Sequence, residues 1–178
     1  RQGIKKVILS VGYKWEIIKA LFGNKYNDLT LEYAIEDKPL GTGGGLKNAL
    51  KFTCEDEILI LNGDIFFDID LSLFYELHKC KSSKLSVALK ELESAERYGR
   101  VEIDENNRIV SFLEKGKRNI GFINSGIYLL NKNFFNMLAP EGNFSLEKDF
   151  LERYYQRISI LWFPFRWILY RYRCSGGL

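Results

Sequence analysis

The pattern that most constrains this chain is a repeated exchange of two hydrophobic periods along its first eighty residues. Residues 4–11, IKKVILSV, are β-branched and apolar, as a buried strand requires. In KWEIIKALF (14–22), Ile17, Ile18, Leu21 and Phe22 fall near one helical face, and Gly23 follows as a stop. LTLEYAIE (29–36) alternates with period two and predicts a second strand. The segment from Asp37 to Gly45 is rich in turn formers and predicts a loop, and LKNALKF (46–52) a helix. EILILNGD (57–64) predicts a strand with a polar end, and LSLFYELHK (71–79) an amphipathic helix. A βαβαβα order of this kind implies a parallel sheet covered on both faces.

The second half changes character. KLSVALKEL (84–92), GRVEID (99–104), RIVSFLEK (108–115) and NIGFINSGIYLLN (119–131) predict strands, with Glu105-Asn106-Asn107 as a hairpin turn. SLEKDFLERYY (145–155) predicts a helix capped by Ser145, with Leu146, Phe150, Leu151 and Tyr154 as its buried stripe. No linker, repeat or low-complexity tract interrupts the chain, so one α/β domain with antiparallel additions is the economical expectation.

Composition narrows the class. The chain has 178 residues, 46% of them apolar and 28% charged, which is globular and excludes disorder or a disulfide-stapled miniprotein. No apolar run approaches the length of a membrane span. Cys54, Cys80 and Cys174 are too few and too irregular for a zinc site or disulfide frame. With no signal peptide to read, the cytoplasm is the expected compartment. Arg166, Arg171 and Arg173 account for the whole net charge of +3, leaving 23 basic and 23 acidic side chains before them. A nucleic-acid partner therefore lacks its electrostatic footprint.

Two places could carry chemistry. Gly41, Gly43, Gly44 and Gly45 give four glycines in five positions around Thr42, between a strand and a helix. Such a segment lets backbone N–H groups approach a flat or anionic ligand closely, or it is simply a flexible connection. Its spacing matches neither a dinucleotide fingerprint nor a P-loop. Asp64 stands where the strand of Leu61-Asn62-Gly63 ends, the place at which open α/β sheets bind ligands. Its carboxylate could hold Mg²⁺, or it could serve a turn. Asp70 fits a helix cap better than a ligand. Tyr98-Gly99-Arg100, Glu114-Lys115 and Asn124-Ser125-Gly126 offer an acceptor, a cation and an amide suited to polyol and phosphate recognition, or surface decoration. His78 has no companion histidine and reads as structural. No cysteine nucleophile is supported.

Taken in order, PLGTGGGLKNAL, ILNGDIFFDIDL, RYGRVEID, FLEKG and FINSGIYLL resemble the sugar-nucleotide pyrophosphorylases, or nucleotidyltransferases, from about Gly3 to Phe165. Within that family the D-glycero-D-manno-heptose 1-phosphate guanylyltransferase branch is the nearest in appearance. The resemblance implies a Rossmann-like three-layer α/β/α nucleotidyltransferase fold with a mixed, mainly parallel sheet. It implies that Gly41, Thr42 and Gly43 face the nucleotide and that Asp64 holds Mg²⁺ against its phosphates. Tyr98, Gly99, Glu114 and Asn124 would then meet the sugar, and Lys115 its phosphate, with Asp64 and Lys115 as the catalytic pair. The partners implied are a nucleoside triphosphate, most naturally GTP, and a sugar 1-phosphate, in surface-glycan precursor synthesis. The glycine segment and Asp64 are expected to converge on one activated-phosphate pocket.

Two departures accompany the resemblance. The family's G-x-G-T-R-L signature loop is not found ahead of Gly3, so the domain at 1–165 is expected to be partial, incomplete at its N-terminal side. After Phe165, relatives continue with a sequence like DGYFIDIGVPED, whereas this chain reads RWILYRYRCSGGL. Codons for the second string, read one base later, can encode the first, so 166–178 is expected to be an out-of-frame tail. That tail replaces a second metal-binding aspartate, and the chain as it stands is expected to turn over poorly. The rival readings are a mannose 1-phosphate or other sugar 1-phosphate enzyme and a catalytically silent sugar-nucleotide-binding module. A glycosyltransferase using Asp68-Ile69-Asp70 is a third.

Overall fold

The structure, a computed structural model, describes residues 3–92, 100–105, 109–113, 121–155, 160–165 and 169–171. The chain divides into two compact units, residues 1–56 with 132–153 and residues 57–131 with 154–178.

In the first unit, β1 (Lys6–Val11) and β3 (Leu29–Ile35) pair in parallel, and the short β2 (Lys25–Tyr26) joins β3 from its other side, antiparallel. The crossover between β1 and β3 contains α1 (Trp15–Phe22). Val11, Leu31 and Tyr33 are buried, and Val7, Leu9, Trp15 and Leu29 pack against them. The apolar face predicted for α1 does not enter that core: Ile17, Ile18, Leu21 and Phe22 are all exposed. Next comes α2 (Gly41–Ala49), which tightens into a 3₁₀ turn at Leu50–Phe52. The unit is completed by α4 (Lys132–Leu138) and a π-helical segment, Leu146–Leu151, running into an α-helical turn, Glu152–Tyr154, whose last residue falls to the second unit. The Ser145 hydroxyl accepts from the Lys148 amide at 3.2 Å and the Ser145 amide donates to Asp149 at 2.7 Å, which fixes where this helix starts. Leu146, Phe150 and Leu151 are buried as the sequence predicts, while Tyr154 is only half-buried. The wider π turn offsets the helical stripe from the register that an α-helix would give.

The second unit is built on a six-stranded sheet in which β10 (Ile160–Phe165), β6 (Leu85–Leu92), β9 (Gly121–Asn131), β7 (Arg100–Ile103) and β8 (Ile109–Leu113) lie in that order. The edge of β9 also takes β4 (Glu57–Leu61). A separate ladder joins β5 (Ile65–Phe67) to β11 (Leu169–Arg171), antiparallel. The mixed α/β character is as expected, but neighbouring strands pair antiparallel more often than parallel. The reason is β9, which runs against β4 and β6 and separates two strands that share a direction. β10 keeps the parallel relation to β6. α3 (Leu71–Cys80) covers one face of this sheet, with Phe74 packed on Ala88, Ile127, Leu129 and Ile69. Asp70 caps α3, accepting from the Leu73 amide at 3.0 Å, and Ile69 is buried, so Asp68-Ile69-Asp70 is a helix start and not a D-x-D metal motif. Of residues 166–178, those other than Leu169–Arg171 lie outside the described residues, as do Asn106 and Asn107 of the predicted hairpin.

His78 is buried and bridges three elements. Its Nδ1 lies 2.8 Å from the Ser86 hydroxyl on β6, and its Nε2 lies 3.1 Å from Glu57 on β4. A neutral ring with the proton on Nε2 satisfies both: it donates to the Glu57 carboxylate and accepts from Ser86. Burial holds its pKa below the ordinary value of 6.5, although Glu57 opposes the shift. The unfolded chain thus takes up a proton that the folded chain resists. The stabilisation is complete above about pH 6.5 and is lost as pH falls below it. Urea unfolding is expected to show a decline in stability from about pH 7.5 to about pH 5.5. The His78→Gln chain is expected to show a shallower decline, and an unchanged slope would remove His78 as its source.

Candidate active site

The glycine run is not a loop. Gly41, Gly43, Gly44 and Gly45 form the first turns of α2, which begins five residues earlier than the sequence predicts. Glycine is a poor helix former, so a local reading disfavours this start. Packing reverses it. A Cβ on Gly43 would overlap the Phe144 ring, one on Gly44 would overlap the Gly142 carbonyl, and one on Gly41 would stand 2.5 Å from the Phe144 carbonyl oxygen. Gly41 also has φ +72°, a conformation that favours glycine. On its far side Phe144 stacks on Phe135, which packs in turn on Phe150, and all three rings are buried.

The same contact occupies the helix end. The Phe144 carbonyl accepts from the Gly43 amide at 3.0 Å and more weakly from Gly44 at 3.4 Å, and the Phe144 amide donates to Leu40 at 3.0 Å. Among the described residues no such bond reaches the Gly41 and Thr42 amides, which the resemblance turns toward the nucleotide. The Thr42 hydroxyl donates to Glu147 at 2.9 Å and accepts from the Leu146 amide at 2.8 Å. Its proton is committed, and it keeps acceptor capacity only. Glu36, which the sequence reading passed over, braces this region: it accepts from Ser10 at 2.9 Å and from the Leu40 amide at 3.0 Å. Its Oε1 lies where a Cβ on Gly45 would point. The Lys47 ammonium closes the other end of α2, on Glu141 at 2.6 Å and the Pro140 carbonyl at 3.2 Å.

In the second unit, Asp64 sits in the turn between β4 and β5 and is exposed, at the carboxyl end of a strand as predicted. The turn is held to β9 by the Asn62 amide, which donates to the Gly126 carbonyl at 2.9 Å. Gly126 has φ +72°, and a Cβ there would stand 2.8 Å from Asn62 Nδ2 and 2.9 Å from Ile65 Cδ1. This close approach coincides with an irregularity in the β6–β9 ladder. Ala88 faces Ile127 but Leu89 faces Asn124, so Ser125 and Gly126 bulge out of β9. The buried Ser125 hydroxyl donates to the Ala88 carbonyl at 2.6 Å and fills the gap. Asn124, assigned to the sugar, donates to the Tyr128 hydroxyl at 2.8 Å and accepts from the Gly126 amide at 2.9 Å. One amide hydrogen and one acceptor lone pair remain to it.

Gly41, Thr42 and Gly43 therefore belong to the first unit, Asp64 and Asn124 to the second. Tyr98, Gly99, Glu114 and Lys115 lie outside the described residues. Among the described residues no group of three or more acidic, histidine or cysteine side chains surrounds a metal position. No helix among them is long and apolar enough to cross a membrane.

In the second unit, a carboxylate at a strand end beside a bulged strand bearing an amide is an arrangement open α/β sheets use for ligands. The sequence pattern of the nucleotidyl transferases matches residues 1–159, and the chain belongs to that family. Over 153 residues it is 44% identical to D-glycero-alpha-D-manno-heptose 1-phosphate guanylyltransferase of Aneurinibacillus thermoaerophilus, covering 86% of this chain and 66% of the relative. The protein of the same name from Campylobacter jejuni is 46% identical over 158 residues, covering 89% and 69%. The chain thus spans about two thirds of the length of these curated relatives. Among solved structures, HddC from Yersinia pseudotuberculosis complexed with GMP-PN superimposes with a TM-score of 0.82 at 32% identity, covering 96% of this chain and 74% of that one.

If the glycines are there to admit Phe144, the two sides of the contact are coupled. Gly43→Ala is expected to lower the unfolding free energy by about 1–3 kcal/mol through overpacking. Phe144→Ala is expected to lower it by about 3–5 kcal/mol. In the double variant the alanine at 43 should have little further effect, a coupling readable from a double-mutant cycle in urea. Additive losses would show that Gly43 is needed for another reason.

Proposed function

We propose that this chain is the greater part of a sugar 1-phosphate guanylyltransferase acting on a heptose 1-phosphate. The observation that carries the reading is 44–46% identity, across most of the chain, to two proteins named for that activity. An oxygen of the sugar 1-phosphate attacks the α-phosphorus of GTP in line. The bond from that phosphorus to the bridging oxygen breaks, and pyrophosphate leaves with the electron pair. Chemistry of this type depends on position and charge neutralisation and needs no covalent protein intermediate. The lack of any nucleophile motif in the sequence agrees with that.

In this reading the candidate residues divide the work. The Gly41 and Thr42 amides, held at the start of α2 by Phe144, face the nucleotide, and the remaining Asn124 hydrogen meets a sugar hydroxyl. Glu114, Gly99 and Tyr98 complete the sugar contacts, and Lys115 neutralises the phosphate. Asp64 suits Mg²⁺, because that ion is commonly held by one or two carboxylates together with substrate phosphates and water. When bound, Mg²⁺ would offset phosphate charge beside the attacked phosphorus.

Calorimetric titration of the 178-residue chain tests the assignment. GTP with Mg²⁺ is expected to bind, at least tenfold tighter than UTP. Asp64→Asn should remove the Mg²⁺ dependence with little change in melting temperature. Pyrophosphate release by this chain is expected to stay near background, because the resemblance implies a second metal-binding aspartate where this chain reads RWILYRYRCSGGL. Failure to bind GTP, or equal binding of UTP, would overturn the guanylyl assignment.

A further inference from the structure

Lys90 lies on β6 and is only 8% exposed. Among the described residues its ammonium makes no hydrogen bond or ion pair. Desolvation alone holds its pKa below the usual lysine value, with no neighbouring charge to offset it. The stem is buried and the ammonium partly desolvated, and a cation so placed without a counter-charge is disfavoured unless something else supplies one. A lysine also differs from the apolar residues before it on the strand, Leu85, Val87, Ala88 and Leu89, all of which are buried.

The register shows where this cation stands. Ile127 of β9 faces Leu61 of β4 on one side and Ala88 of β6 on the other. Because β4 and β6 both run against β9, they run in the same direction past that level. Beyond it β4 leads into Asn62, Gly63 and Asp64, while β6 continues to Leu89 and Lys90. Lys90 therefore stands on the same end of the sheet as Asp64, two strand spacings away, or about 10 Å laterally. It also shares a face of β6 with Ala88, whose apolar cluster includes Ile65, the residue that follows Asp64. The bulge at Ser125 and Gly126, which receives the Asn62 turn, ends one pair before Lys90 meets Ile123.

We propose that Lys90 is a phosphate-binding residue, its missing counter-charge being a phosphate group of the ligand taken up at the Asp64 end of the sheet. The inference rests on the proposed function for the identity of that ligand, but not for the need of an anion. Lys90 is a binding and positioning cation in addition to Lys115, and the phosphate it takes belongs either to the sugar 1-phosphate or to the nucleotide.

The test compares the native chain with Lys90→Met in calorimetric titrations against GTP, heptose 1-phosphate, orthophosphate and pyrophosphate. Lys90→Met should melt at the same temperature or higher, since it removes an unpaired buried charge and keeps the stem's shape. It should lose at least tenfold in affinity for one class of ligand. A loss confined to heptose 1-phosphate and orthophosphate identifies the sugar phosphate, and a loss confined to GTP and pyrophosphate identifies the nucleotide. Unchanged binding of all four overturns the inference and leaves the proposed function standing. Lys90-dependent binding of the inorganic anions without GTP or heptose 1-phosphate would uphold the inference and overturn the function. If the native chain binds none of them, both fall. Should the variant fail to fold, reductive methylation of the native chain decides: Lys90 must be protected by one of the four ligands, and equal labelling with and without each overturns the inference.

Discussion

The contact between Phe144 and the glycines of α2 is the constraint from which the first unit is organised. A helix that opens with so many glycines would not form on its own propensity, since each costs about 1 kcal/mol relative to alanine. Burying an aromatic ring returns about 1.5–3 kcal/mol, and the Phe144 carbonyl satisfies two amides that a helix start otherwise leaves open. Phe135 and Phe150 hold that ring from behind. The lack of a Cβ at Gly41, Gly43 and Gly44 is thus what lets the 142–144 segment lie against the helix.

The second unit uses one glycine to similar effect. Gly126 lets the turn that bears Asp64 press against β9, and the bulge around it shifts the ladder between Ala88 and Leu89. Bulges of this sort re-aim side chains near functional sites. Here the shift brings Asn124 opposite Leu89 and bonds it to Tyr128. Away from that end, His78, Ser86 and Glu57 tie α3, β6 and β4 together with hydrogen bonds that are complete without ligand. One end of the sheet is internally satisfied. The other carries an exposed carboxylate at Asp64 and, at Lys90, a cation with no partner among the described residues.

Much of this was legible in the chain itself. The periods of IKKVILSV, LTLEYAIE and EILIL and the caps at Asp70 and Ser145 produced the elements they predict, because each depends on near neighbours. The strand end at Asp64 and the family motifs were equally plain. The loop expected at Asp37–Gly45 was not a fault of propensity. Glycine's preference is real, and a partner a hundred residues away outweighed it. Alternation places Lys90 on a strand, but it marks a face only and cannot say whether a charge on that face finds a partner.

The sequence by itself determined the alternation of strands and helices, the capped helix starts and the family, because local sterics and ordered motifs are written along the chain. Only the tertiary structure decided that the glycine run is helical, that β9 separates β4 from β6, and that Lys90 shares an end of the sheet with Asp64. Those outcomes depend on which distant segments meet. A backbone without side chains accepts whichever partner packs against it, and a buried charge is defined by the atoms around it.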